Sequence, residues 1–105
     1  MQNVYRHGDV NLIRVKAIPD GKIIQHKGKH VLAEGEATNS VHELTCDDMQ
    51  LTDVNGTLYL KLDITATLTH THDHDTLKIE PGMYVQVPER ELDHFADSIQ
   101  RQVVD

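Results

Sequence analysis

The chain has no tryptophan, a single phenylalanine and a single cysteine. With aromatics at only 4% of its 105 residues, its core must be assembled from aliphatic side chains rather than stacked rings. Lone Cys46 cannot close an internal disulfide, so a disulfide-stapled secreted scaffold is not indicated. No apolar signal region follows Met1, and no uninterrupted apolar run approaches the roughly 20 residues that cross a bilayer. These absences point to a cytoplasmic protein without membrane attachment. Basic residues are also scarce: ten Lys and Arg stand against seventeen Asp and Glu, for a formal charge of −7. That balance opposes broad nucleic-acid binding, which needs clustered cations to neutralise phosphates. Lys22, Lys27 and Lys29, with His26 and His30, form the one concentrated basic stretch, and Lys-Gly-Gln composition there reads as a solvated hairpin tip.

What the sequence does contain is strand patterning. At this length one domain, spanning 1–105, is expected. Val10 to Val15 runs into Pro19-Asp20-Gly21, a strand followed by a turn signal. Ile23-Ile24 and Val31-Leu32 flank Lys27-Gly28 and predict a hairpin, with Gly35 at a bulge or bend. Val41 to Cys46 alternates as a strand, and Asp47-Asp48 starts a turn. Met49 to Val54 leads into Asn55-Gly56, the strongest hairpin signal in the chain, because both residues tolerate the positive φ of a type I′ turn.

Beyond that turn, Leu58, Leu60, Leu62, Ile64, Ala66 and Leu68 occupy every second position, a period of two that defines one face of a strand. An unbroken strand from Thr57 to His74 would run about 55–60 Å, far beyond usual lengths, so a bend or bulge is expected partway. Leu77-Lys78-Ile79 and Tyr84 to Val87 add two short strands around Pro81-Gly82. The tail from Leu92 to Val104 fits a short helix and then a strand. The fold class is therefore all-β: a small barrel or sandwich of about seven short antiparallel strands.

The unusual chemistry lies in His70-Thr71-His72-Asp73-His74. The run is internal and set between patterned strands, so it is not an appended tag. Register carries His70, His72 and His74 onto the face of the preceding aliphatic residues. Histidines two apart on a strand have Cα atoms about 6.5–7 Å apart, close enough for both imidazoles to share one cation. His70 and His74 lie about 13 Å apart in extended chain, so all three converge only if the strand curls. A further ligand is expected from another strand, with His42 first among His42, His7, Glu36 and His94. Imidazoles with a carboxylate and an open position suit zinc, iron, manganese or nickel. The alternative reading is a polar strand end in which Asp73 and Asp75 form a solvated turn. Other chemistry is thin. Cys46 has no CxxC partner and reads as a small buried hydrophobe, Ser40 and Ser98 lack a nucleophile elbow, and the glycines match no phosphate-binding fingerprint.

The segment from Leu77 to Phe95, with Pro81-Gly82, Val85-Gln86-Val87-Pro88 and His94-Phe95, resembles the second motif of the cupin family. That resemblance implies His70, His72 and His94 as metal ligands, with Thr76 and Leu77 standing near where the family carries Glu. Tyr5-Arg6-His7-Gly8-Asp9, Leu32 to Thr38, the histidine run, Pro81-Gly82 and Arg90-Glu91 together look like a set of small uncharacterised bacterial and phage proteins, which implies no particular activity. Two functions follow as expectations. One is a small metal-binding β-barrel protein with His70 and His72 as the central pair and His42 or His74 completing the site. The other is a non-enzymatic acidic interaction or inhibitor protein of phage or mobile-element type, with a protein partner, and an exposed β edge that makes a homodimer plausible.

Overall fold

The computed structural model describes residues 3–8, 10–34, 41–70 and 75–88. Ten antiparallel strands are present among them: β1 (Val4–His7), β2 (Val10–Arg14), β3 (Lys22–Gln25), β4 (Gly28–Glu34), β5 (Val41–Cys46), β6 (Met49–Val54), β7 (Thr57–Leu62), β8 (Ala66–His70), β9 (Asp75–Ile79) and β10 (Gly82–Gln86). They form a six-stranded sheet in the order β1-β2-β10-β7-β6-β3 and a four-stranded sheet in the order β4-β5-β8-β9. The two sheets pack as a sandwich and do not close into a barrel.

The all-β expectation holds, and the strands missing from it are instructive. β1 escapes sequence reading because Val4 to His7 is four residues long and carries one aliphatic side chain. The long alternating segment breaks at Asp63–Thr65, as its length requires, and its two halves lie in different sheets. Leu60, Leu62, Ala66 and Leu68 keep their inward facing across the break, while Ile64 at the bend is 43% exposed.

The predicted hairpin around Lys27-Gly28 is corrected. β3 pairs with β6 in the larger sheet and β4 pairs with β5 in the smaller one, so the chain changes sheet at His26-Lys27 instead of folding back on itself. A two-residue connection between apolar strands reads the same in sequence whether it closes a hairpin or turns a corner. Three more short connections do the same: Asp47-Asp48, Asp63 to Thr65, and Glu80-Pro81.

All four corners therefore lie at one end of the sandwich. Three of them are stitched together there by Met49 N donating to His26 O at 2.9 Å and Asp63 N donating to Asp48 O at 3.0 Å. At the opposite end lie the adjoining strand ends of four antiparallel pairs: β1 with β2, β4 with β5, β6 with β7 and β8 with β9. At the Asn55-Gly56 turn the φ angles are 51° and 89°, as a type I′ hairpin demands.

Between the sheets sits an aliphatic core with two tyrosines, including Tyr5, Val10, Leu12, Leu44, Met49, Leu51, Leu60, Leu68, Ile79 and Tyr84. A smaller cluster of Ile13, Val85 and Val87 lies on the other face of β2 and β10. Cys46 is buried in the main core, as its composition-based reading held. No helix among the described residues is long and apolar enough to cross a membrane.

Candidate functional site

At the hairpin end, register sets an inward-facing residue beyond the last core side chain on three strands. On β1 the inward series runs Tyr5, then His7. On β5 it runs Cys46, Leu44, then His42, and on β8 it runs Ala66, Leu68, then His70. Three strands from two sheets thus end their apolar series in histidine. The aliphatic core is capped at that end by a layer of imidazoles.

His42 and His70 are direct partners in the β5–β8 ladder, and their rings stack with centroids 4.3 Å apart and planes 17° from parallel. His7 approaches from the opposite sheet. Its ring stands edge-on to both, 5.1 Å from His42 and 6.2 Å from His70 by centroid. His7 Nδ1 and His42 Nδ1 are 3.0 Å apart. Both rings are buried, 7% and 5% exposed, and His70 is half-buried.

The contact constrains the rings' chemistry. Each nitrogen can bring a hydrogen or a lone pair, so a direct hydrogen bond needs one ring to donate and the other to accept. A cation held by both lone pairs satisfies the same contact without a shared hydrogen. Zinc–imidazole bonds of 2.0–2.1 Å with tetrahedral angles put two ligand nitrogens about 3.3 Å apart. The observed spacing is a few tenths of an ångström shorter, within reach of a small side-chain adjustment. Among the described residues, however, no group of three or more His, Cys, Asp or Glu side chains is set to hold a metal ion. His42 and His70 meet face to face, which stacks the rings instead of aiming both at one point.

Gly8 is the wall behind the site. A Cβ built there would fall 2.5 Å from His42 Cε1 and 2.7 Å from Nε2, and the residue has φ +61°. Its backbone makes the β1–β2 turn and leaves the room that the His42 ring fills. An open recess of ≈ 390 Å³ is lined by Leu32, Gly56, Thr57, Leu58, Gln86, Val87 and Pro88. Gln86 Nε2 donates to Leu32 O at 2.9 Å across the sandwich and fixes one side of it. Leu32 is the extra residue of a β-bulge opposite the His42 region of β5, with Ala33 paired to His42.

This chain belongs to the DUF8820 family. The family, described as a domain of unknown function, is matched over residues 6–88. No curated protein matches the chain, and no solved structure does.

Of the residues expected in the DUF8820 site, His42 and His70 are brought together. His72 and His74 lie outside the described residues, as do the alternative ligands Glu36 and His94, the bend at Gly35 and the tail beyond Pro88. His7 ranked behind His42 in sequence, because nothing in β1 tells which strands it will face. Gly8 carried no chemical signal at all; its role is to be absent where His42 needs space.

Proposed function

We propose that this protein is a small metal-binding β-sandwich protein whose ion is held by the imidazole layer, with Nδ1 of His7 and of His42 as the first two ligands. The 3.0 Å separation of those two nitrogens carries the reading. His70, stacked on His42 and more exposed than it, supplies the third imidazole by rotating about its side-chain bonds. His72 and His74 are the further donors nearest in sequence. An all-imidazole set suits zinc, iron or nickel. The cupin likeness gives His70 the same role. The reading assigns ion binding without a reaction. Lone buried Cys46 and the acidic balance support a cytoplasmic setting.

The test is elemental analysis of protein purified without a tag, followed by cobalt(II) titration, whose absorption spectrum reports imidazole coordination. One ion per chain is expected, with a rise in thermal midpoint on zinc addition because the folded state alone presents the ligands together. His42→Phe fills the same space and should lose the ion, as should His7→Gln; circular dichroism checks that both fold. Absence of stoichiometric metal, or its retention in both folded variants, would overturn the proposal.

A further inference from the structure

The side of the sandwich formed by β3 and β4 differs chemically from the rest of the molecule. Residues 21–33 carry Lys22, Lys27 and Lys29 and no carboxylate, in a chain of net charge −7. All three lysines are exposed, and among the described residues none forms a salt bridge. Asp53, registered opposite Lys22, instead accepts a hydrogen bond from Gly56 N at 3.1 Å. Interleaved with the lysines are Ile23, Ile24 and Val31, exposed by 46%, 43% and 40%. Among the described residues, three of the four large exposed hydrophobics thus fall on two consecutive strands. Each of these strands is the edge of its own sheet.

The corner joining them is also rigid. Gln25 Nε2 donates to Lys27 O and to Lys29 O, both at 2.9 Å, which uses both amide hydrogens and leaves Oε1 as the acceptor. His30 Nδ1 lies 3.1 Å from that oxygen, so His30 is the donor there. A merely solvated turn has no need of this clamp, whereas a binding surface gains from it, because the lysine backbone is already ordered before a partner arrives.

From these observations we infer that the corner where β3 meets β4 is a docking surface for an acidic segment of another protein, with aliphatic anchors that seat on Ile23 and Ile24. Both edge strands contain a register shift, between Ile23 and Gln25 and between Val31 and Ala33. Bulged edges resist regular strand addition, so recognition runs through side chains. A two-fold pair of this chain through the same face would set lysines against lysines, which disfavours a second copy.

Fluorescence anisotropy with a short labelled peptide that alternates Glu with Val and Leu tests the inference on the full chain. Saturable binding at low salt is expected, weakening as salt rises. Lys27→Glu/Lys29→Glu should weaken it by about tenfold or more, a change of about 1.4 kcal/mol, and Ile23→Ser/Ile24→Ser should weaken it as well. Lys27 and Lys29 are exposed, so the thermal midpoint should stay unchanged in the charge-reversed variant, and circular dichroism checks that the isoleucine variant folds. Four results would sink the inference: no saturable binding, binding unaffected by either variant, tighter binding of an oligothymidylate of equal length, or self-association that the charge reversal abolishes.

Discussion

At the scale of single residues, the sharpest constraint on the candidate site is glycine. Gly8 meets two demands at once, a left-handed backbone and an empty position against the His42 ring. Gly8→Ala is therefore expected to cost about 1–3 kcal/mol of stability and to displace the His42 imidazole. Thermal unfolding and the His42 ring signals in nuclear magnetic resonance would check both effects; a wild-type midpoint with unmoved signals would contradict this account. Gly56 offers a contrast. It has φ +89°, yet a Cβ there meets nothing within 4 Å. Gly56→Val should consequently lose about 1–2 kcal/mol through backbone strain alone, visible as a lower midpoint with the imidazole signals unchanged.

Among the elements, the alternating segment after Asn55-Gly56 shows how far a local pattern reaches. Period two was legible from Leu58 to Leu68, and within β8 the inward facing of His70 follows from that of Ala66 and Leu68, because a strand cannot change face without slipping register. That the segment must break partway was legible as well, from length, but its place at Asp63–Thr65 was not. What could not be read was that the break carries the chain from one sheet to the other, since Asp63 would suit a bulge, a bend or a corner equally. The same ambiguity produced the mistaken hairpin at Lys27-Gly28, where two apolar pairs flank a Lys-Gly turn whichever sheet each strand joins. Asn55-Gly56 escaped it because that dipeptide selects a specific turn geometry rather than a bend in general.

On the scale of the whole molecule, the two ends of the sandwich do different work. A polar network pins the corner end: Arg14 Nη2 donates to Tyr84 Oη at 2.8 Å, Tyr84 Oη donates to Glu80 O at 2.6 Å, and Glu80 N donates to Tyr5 Oη at 3.3 Å. Burial pushes the Tyr84 phenol from its ordinary value of 10.0 up to about 12, against the opposing pull of Arg14. Between those values the unfolded chain has lost the proton that the folded chain keeps, so rising pH favours unfolding. The stabilisation is fully present below pH 10.0 and is lost as pH rises through about 12. Denaturant titrations across that window should show stability falling, with a shallower fall in Tyr84→Phe; equal slopes would refute the assignment.

The sandwich crossing explains why the histidine site needed three dimensions. β10 leaves β9 at the corner end, yet at its other end Gln86 reaches β4, on the far side of the smaller sheet. Strands of one sheet therefore run across those of the other. That crossing swings β1, an edge of the larger sheet, over β5 and β8 and sets His7 against His42 and His70. By itself the sequence determined the all-β class, the type I′ turn, the aliphatic face and the inward register of His70, because each depends on backbone geometry over a few neighbouring residues. Which strands share a sheet, and that histidines 35 residues apart in sequence meet within 3.0 Å, was decided by tertiary structure, because the packing of two twisted sheets is a property of the assembled core and leaves no local pattern.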